Sequence, residues 1–186
     1  MRKTVKKIFS VWQFDKEEQW LNEMAAQGWH LISVKYPTYE FEQGEPGAYN
    51  IRLELLEYWP KHEESRQYIN FVEDTGAEYI GSVLRWVYFR KKTADGAFVL
   101  YSDIDSRLKH LKRILSLMWI ILFITLYNTV YYGVVFCANL FASNSMITAH
   151  LVWFGVFLLL SAVIGRGLLL VIRKKNQLCK ERTLHE

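Results

Sequence analysis

The sequence is poor in the residues and spacings that build chemical sites. It has two cysteines in 186 residues, Cys137 and Cys179. No Cys-x-x-Cys pair or Cys/His cluster occurs, so neither a disulfide framework nor a zinc site is indicated. The five histidines are well separated, and no His-x-x-x-His, Gly-x-Ser-x-Gly, Gly-x-Gly-x-x-Gly or P-loop pattern is present. The sequence therefore predicts a protein that is not an enzyme and that needs no cofactor or metal.

Charge is also absent from one long stretch. Residues 114–165 contain no Asp, Glu, Lys or Arg over 52 positions. As a helix this run would be roughly 78 Å long, enough for two crossings of a hydrocarbon core about 30 Å thick. Polar residues at 139 and 143–145 supply a turn signal in its middle. We predict two transmembrane helices within residues 114–172, near 115–137 and 147–172.

The apolar run could instead form the core of a soluble helical protein. Buried core helices rarely exceed about 14 apolar residues without polar interruption, whereas residues 119–126 and 154–160 carry apolar side chains on every face. We therefore expect a multi-pass protein of the cell membrane, with the lipid bilayer as its main partner.

The formal net charge of +4 comes from the C-terminal half of the chain. Residues 1–93 hold 13 Lys and Arg against 14 Asp and Glu, whereas residues 94–186 hold 10 against 5. Basic residues flank the apolar run and none lies at 138–149, which predicts that both termini are cytoplasmic. Nucleic-acid binding loses its support, because membrane orientation accounts for the basic excess. The membrane-orientation residues are Lys109, Lys112, Arg113, Arg173, Lys174 and Lys175.

Residues 1–93 have the pattern of a cytoplasmic α+β domain. Strands are predicted at 3–12, 29–35, 39–42, 48–58, 78–83 and 86–91, and helices at 16–27 and 63–75. Asp15 is the predicted N-cap of the first helix, with Glu18 in the capping-box position. Gly28 and Gly76 are the predicted left-handed caps that end the two helices.

The two halves of this domain resemble each other at a spacing of 48 residues. Trp20-Leu21-Asn22 matches Tyr68-Ile69-Asn70, Gly28 matches Gly76, and an aromatic strand follows each glycine. Two β-α-β-type units in one antiparallel, ferredoxin-like sheet would account for this pattern.

The remaining residues connect the domain to the membrane. Residues 94–113 are predicted to form a linker and a juxtamembrane helix, and residues 173–186 form a basic cytoplasmic tail. A juxtamembrane helix that runs unbroken into the first span would transmit tilt or rotation between membrane and domain.

Several short motifs in this chain resemble those of a known family. They are Gly28-Trp29, Pro46-Gly47-x-Tyr49, Arg52-Leu53, Trp86-x-Tyr88-Phe89-Arg90-Lys91, and Leu100-Tyr101-Ser102-Asp103 ahead of Ser106. The chain is similar here to the bacterial membrane-protein family called domain of unknown function 2812, over residues 3–113 and the paired spans. The resemblance implies a small membrane protein, often encoded beside a PadR-like transcription regulator, and hence a regulatory context. It supplies no catalytic residues.

Two residue sets have both a functional and a structural interpretation. A group of carboxylates could line one sheet face as a catalytic pair or simply form a solvated surface: Glu40, Glu42, Glu45, Glu54 and Glu57. The tryptophans and tyrosines could line a pocket for an apolar ligand or form the core and cross-strand packing. The structural interpretation is favoured for both sets.

Arg166 is a candidate intramembrane charge. It is seven residues before Arg173, which is about 10 Å along a helix, with an apolar stretch between them. An arginine at that depth is a functional candidate. The alternative is that the lipid span ends near Gly165 and that Arg166 snorkels to the headgroups.

Three functional hypotheses follow. The favoured one is a non-enzymatic two-span membrane protein with a cytoplasmic α+β domain that acts in sensing or regulation. The alternatives are a binding module for a small hydrophobic ligand and an accessory subunit of a membrane transporter. A protein partner, either a regulator or a transporter, is expected in the first and third cases. The signal, the partner and the oligomeric state are left open by the sequence.

Overall fold

The computed structural model describes residues 1–100, 104–142 and 147–185. They fall into two compact units, Met1–His110 and Leu111–Glu186. The elements in chain order are β1 (Arg2–Lys6), α1 (Phe14–Ala26), β2 (Trp29–Lys35), β3 (Thr38–Gln43), β4 (Tyr49–Leu55), α2 (Glu63–Asp74), β5 (Ala77–Val83), β6 (Trp86–Lys92), α3 (Ile104–Ala142) and α4 (Ile147–His185). The predicted α+β class with a C-terminal pair of apolar helices is confirmed.

The six strands form two antiparallel sheets of three strands each. Their orders are β1-β3-β2 and β4-β6-β5. The sequence predicted one ferredoxin-like sheet instead. In each half the second and third strands form a hairpin, and the first strand pairs on the far side of the third. β2 and β5 approach each other without sharing a hydrogen-bonded ladder, so each half keeps a sheet of its own.

The internal repeat is visible in the backbone. Each half runs strand, helix, strand, strand, and α1 and α2 end 48 residues apart. The glycine after each helix has a positive φ, +84° at Gly28 and +86° at Gly76, as the left-handed cap requires. The pairing of β2 with β3 is irregular between Leu31 and Ser33, and that of β5 with β6 between Tyr79 and Gly81, again 48 residues on.

The start of α1 differs from the prediction. The strand predicted to reach residue 12 ends at Lys6, and a 3-10 turn over Val11–Gln13 precedes α1. The capping box is formed by Ser10 and Gln13, whose side-chain Oε1 accepts the Ser10 backbone N–H at 3.0 Å. Asp15 was therefore wrong as N-cap, because the chain turns before it reaches that residue. Asp15 lies in the first turn of α1, and the predicted capping residue Glu18 is used elsewhere.

Among the described residues, two hydrophobic clusters hold the N-terminal unit together. The larger one draws side chains from α1 and from strands of both sheets, and its members are Leu21, Met24, Ala25, Leu31, Val34, Tyr39, Phe41, Ile51, Leu53 and Tyr88. The smaller one packs α2 on the second sheet through Ile69, Val72, Val87 and Phe89. Phe98, which follows β6, is also buried in it. The compact unit thus continues beyond β6, and both Phe98 and His110 lie within it.

In the second unit α3 and α4 form a hairpin-like pair of helices. The ring of Tyr132 stacks on that of Phe157 with centroids 5.5 Å apart, and the hydroxyls of Thr129 and Ser161 are 3.4 Å apart. Both helices are long and apolar enough to cross a membrane. Asn139 of the predicted turn lies within α3, where its amide donates to the Val135 carbonyl, and positions 143–145 fall outside the described residues.

Candidate functional site

A buried carboxyl group lies where the two sheets meet. Glu17 is on α1 and is 8% exposed. Its Oε1 accepts hydrogen bonds from the hydroxyls of Tyr39 at 2.7 Å and Tyr88 at 2.6 Å. Tyr39 belongs to β3 of the first sheet and Tyr88 to β6 of the second. These three residues, the Glu17 cluster, therefore bridge the two sheets through one carboxyl oxygen.

Burial controls the proton affinity of this cluster. Desolvation raises the pKa of Glu17, and the hydrogen bonds from Tyr88 and Tyr39 offset this only in part. Desolvation also raises the pKa of both tyrosines, and the nearby Glu17 raises it further, so both hydroxyls stay protonated and can donate. The cluster can take up or release one proton at Glu17 inside the domain.

A second polar group on α1 covers the outer edge of β4. The Asn22 amide donates to the Ile51 carbonyl at 2.9 Å and accepts the Ile51 N–H at 2.8 Å. The Glu18 carboxylate accepts the Leu53 N–H at 2.9 Å and pairs with Arg52 at 2.8 Å. These side chains satisfy backbone groups that an edge strand otherwise exposes. We call this arrangement the α1 edge contact.

His30 on β2 is another buried titratable residue in the N-terminal unit. Its ring lies edge-on to that of Tyr49, with centroids 4.9 Å apart, and its buried Nδ1 has no partner among the described residues. Burial, together with the positive charge of Arg90, lowers the pKa of His30. Gly44 is required beside it, because a Cβ at that position would lie 2.5 Å from the His30 Cδ2.

The carboxylates singled out from the sequence do not converge on one site. Glu54 is 3% exposed and accepts a hydrogen bond from the Tyr68 hydroxyl. Glu42, Glu45 and Glu57 are exposed. Within the part of the chain that the structure describes, no group of three or more His, Cys, Asp or Glu residues could hold a metal ion.

The predicted orientation residues lie on the two long helices. Lys112 and Arg113 are near the start of α3 within the second unit, and Arg173, Lys174 and Lys175 are toward the end of α4. Since α3 and α4 pair antiparallel, these five residues share one end of the hairpin. Lys109 precedes them on α3, in the N-terminal unit.

Arg166 lies within α4 and is exposed. Neighbouring positions on the helix differ in burial: Leu168 is 4% exposed, whereas Leu169 and Leu170 are about half exposed. Arg166 has no ion-pair or hydrogen-bond partner among residues 1–100, 104–142 and 147–185. Both interpretations of this residue remain predictions.

The first turns of α3 belong to the N-terminal unit. His110 is 4% exposed, and its ring lies edge-on to those of Phe14 at 5.4 Å and Trp86 at 5.8 Å between centroids. Phe14 and Trp86 also stack on each other. Aromatic packing of this kind fixes the position of the helix start, since each ring pair adds about 0.5–1.5 kcal/mol beyond the area it buries.

Sequence reasoning missed the Glu17 cluster and the α1 edge contact. A signal for Glu17 was present, because Glu17, Leu21 and Met24 follow the helical spacing of one apolar face. A glutamate on such a face needs hydrogen-bond donors when it is buried. Nothing in the sequence indicates which residues donate to Glu17, since Tyr39 and Tyr88 are 22 and 71 residues away.

The fold and these sites define a class of protein: a duplicated α+β domain followed by a pair of apolar helices that are long enough to span a membrane. Residues 13–124 match the family described as "Protein of unknown function (DUF2812)". The match covers more than half of the chain, and the protein belongs to that family. Searches of curated proteins and of solved structures found no match.

Proposed function

We propose that this is a non-enzymatic, two-span membrane protein whose α+β domain is cytoplasmic and acts in sensing or regulation. One observation carries the proposal: α3 is a single helix of 39 residues, Ile104–Ala142. It begins inside the N-terminal unit, where His110 packs on Phe14 and Trp86, and it becomes one of the two apolar helices.

A continuous helix couples its two ends mechanically. Each residue adds about 1.5 Å and one backbone hydrogen bond, so a change in tilt or rotation at the apolar end is passed along the axis rather than absorbed by a loop. The aromatic contacts of His110 are the point at which such a change would meet the domain. A change in bilayer thickness would change the tilt of the helix, because a helix responds to hydrophobic mismatch by tilting.

The experiment compares the domain in thin and thick bilayers. The full chain is reconstituted in phosphatidylcholine vesicles with short or long acyl chains, and hydrogen exchange is measured at residues 104–110 and around Phe14 and Trp86. The proposal expects protection at these positions to differ between the two lipids. A matched control carries a Gly-Gly insertion after Leu111, which interrupts the helix without altering the domain.

The results decide the proposal, and a lipid dependence that persists in the insertion variant would count against α3 as the coupling element. If the lipid dependence disappears in the insertion variant, α3 is the coupling element. If exchange in the uninterrupted chain is the same in both bilayers, α3 does not carry membrane state to the domain and sensing through the spans is excluded.

The cytoplasmic placement of the domain has its own test. It rests on the basic residues at the shared end of α3 and α4 and on the uncharged segment at 138–149. In a Cys137→Ala background, an impermeant maleimide added to intact cells should label Ser143→Cys and spare Cys179. Labelling of Cys179 in sealed cells, with Ser143→Cys unlabelled, would place the domain outside and remove a cytosolic partner from consideration.

Arg166 favours a second candidate function, an accessory subunit of a transporter. It is an exposed charge on a helix apolar enough to span a membrane, and an acidic residue on a larger helical bundle would pair with it. Arg166→Leu and Arg166→Lys separate the two interpretations in a native-membrane pull-down. Loss of a co-purifying transporter in the leucine variant, with retention in the lysine variant, supports the pairing, whereas snorkelling predicts no change in either. The hydrophobic-ligand module stays a prediction.

A further inference from the structure

The N-terminal unit contains one example of a helix that covers a strand edge. Ile51 and Leu53 turn their backbone groups away from β6, and Asn22 and Glu18 of α1 bind those groups. α1 also packs against β2 of its own half. One helix thereby serves two sheets, and it does so with polar side chains one turn apart on a single face.

β1 is the counterpart of β4 in the repeat, and its outer edge is open. The backbone bonds at the two ends of β1 show which side faces β3: Gln43 N–H donates to Met1 C=O, and Lys7 N–H donates to the C=O of Pro37, the residue before β3. Because successive residues of a strand point their backbone groups to opposite sides, those of Arg2, Thr4 and Lys6 point away from β3. Among the described residues these outward groups have no partner, and all three side chains are exposed.

α2 is the counterpart of α1, and none of the described residues binds the side chains on the face that would cover such an edge. Asn70 occupies the position of Asn22 and Arg66 that of Glu18, each 48 residues on. Both are exposed, and so is Phe71, at 64%. The buried side of α2, with Ile69 and Val72, is occupied by the second sheet.

The charges of these two surfaces are opposite. The edge of β1 and the residue after it carry Arg2, Lys3, Lys6 and Lys7, whereas the exposed ends of α2 carry Glu63, Glu64, Glu73 and Asp74. Two β1 edges brought together would place like charges opposite each other, which is how natural edge strands resist pairing. The basic edge of β1 therefore favours an acidic surface as its partner over a second β1 edge.

We propose that the outer edge of β1 is covered by α2 of a second copy of this chain. The contact between the two chains is equivalent to the α1 edge contact, which α1 makes with β4 within one chain. Asn70 of the second copy has the place at the Arg2 backbone that Asn22 has at Ile51. Each chain supplies both a β1 and an α2, so two chains that make both contacts with each other form a twofold dimer. This inference is independent of the sensing proposal.

Cysteine cross-linking in membranes tests the pairing directly. Both native cysteines are changed to alanine, and two chains of different tag length are co-expressed, one with Thr4→Cys and the other with Asn70→Cys. Copper phenanthroline should yield a disulfide-linked heterodimer of the two tagged chains. Each cysteine expressed alone is the matched control and should give only background dimer.

Every other pattern overturns the proposal. A strong homodimer from Thr4→Cys alone would mean that β1 edges pair with each other. A further variant carries both Thr4→Cys and Asn70→Cys in one chain. A monomer of shifted mobility from this variant would mean that α2 covers β1 of its own chain. Absence of the heterodimer, with both chains folded by circular dichroism, would leave the edge uncovered by a second copy.

Charge reversal gives a second test that does not depend on disulfide geometry. Arg2→Glu with Lys6→Glu, placed in the Thr4→Cys chain, should lower heterodimer yield about tenfold at low salt, because two attractions become repulsions. Glu73→Lys with Asp74→Lys in the Asn70→Cys chain should restore the yield. Equal yields in all combinations would exclude a contact selected by these charges.

Discussion

The two halves of the N-terminal unit follow the same path with different polar residues. Glu17 of α1 is matched 48 residues later by Ser65 of α2, and both are buried. Glu17 bridges two sheets through Tyr39 and Tyr88, whereas the Ser65 hydroxyl donates to the nearby Tyr58 carbonyl at 3.2 Å. The same helix position thus makes a long-range contact in one half and a local one in the other.

This difference shows what the polar residues add to a repeated backbone. The apolar spacing and the glycine cap are shared, and they are enough to place each helix on its own sheet. The hydrogen bonds of Glu17, Glu18 and Asn22 tie α1 to the opposite sheet as well. Among the described residues the equivalent positions on α2, which are Ser65, Arg66 and Asn70, make no such bonds, and α2 packs on the second sheet.

The largest expected effect on stability comes from a buried phenylalanine that both halves have at the equivalent position. Phe41 and Phe89 occupy equivalent positions and are both fully buried, one in each cluster. Phe41→Ala and Phe89→Ala should each cost about 3–5 kcal/mol in the free energy of unfolding. The measurement is native-state hydrogen exchange of the strand amides in the detergent-solubilised full chain. A cost below about 1 kcal/mol at either site would contradict the symmetric core.

The two glycine caps sharpen the comparison. Both have positive φ, but a Cβ at Gly28 would lie 2.7 Å from the Gly44 carbonyl oxygen, whereas one at Gly76 meets only the Lys91 Cε at 3.8 Å. Gly76→Ala should cost about 1 kcal/mol from backbone strain alone, and Gly28→Ala more than about 2 kcal/mol, because a backbone oxygen must also move. Urea midpoints of the two variants check the order, and equal midpoints would remove the role of the Gly44 contact.

A smaller effect should break the symmetry between the two asparagines. Asn22→Ala removes both bonds to Ile51 and should cost about 1–2 kcal/mol, since the partly buried backbone groups are left unsatisfied. Asn70→Ala changes an exposed residue and should stay within about 0.5 kcal/mol in the monomer. Exchange at the Ile51 and Leu53 amides reports the loss locally. Unchanged protection at those amides in Asn22→Ala would show that α1 does not hold the edge.

The smallest expected effect is the pH dependence contributed by Glu17. Folding raises the pKa of Glu17, so its contribution to stability is fully present below its unfolded pKa of about 4.5 and is lost as pH rises through the folded pKa. Glu17→Gln removes this titration. The variant should therefore gain stability over the unchanged chain as pH rises, and the difference should level off above the folded pKa.

The comparison between variants isolates Glu17 from the other titrating groups. His30 and Glu18 also have shifted pKa values, and their contributions are common to both chains and cancel in the difference. Unfolding midpoints at a series of pH values provide the measurement. A difference between the two chains that is constant with pH would mean that Glu17 does not change protonation over that range.

Much of the fold could be predicted because its signals are local. The predicted strand at residues 29–35 lies between Gly28 and Pro37, and β2 has the same limits, Trp29–Lys35. Gly28 and Gly76 end helices because a left-handed residue at that position favours glycine. The start of α1 was wrong, since Asp15 and Glu18 fit a capping pattern that Ser10 and Gln13 satisfy earlier.

The candidate sites could not be predicted, because their partners are distant in sequence. Nothing near Glu17 in the chain indicates Tyr88, and nothing near Asn22 indicates Ile51, 29 residues later. The division of six strands into two sheets is of the same kind. It depends on which strands pair with each other in the folded domain.

The sequence by itself determined the two apolar helices, the α+β class and the duplication, because apolar periodicity, charge distribution and glycine caps act within a few residues. The tertiary structure alone decided that α1 covers β4, that one carboxyl group joins the two sheets and that β1 pairs, among the described residues, only with β3. The physical reason is the same in each case. Buried polar groups must be paired, and the partner that satisfies them is set by the packing of the whole domain instead of by neighbours in the chain.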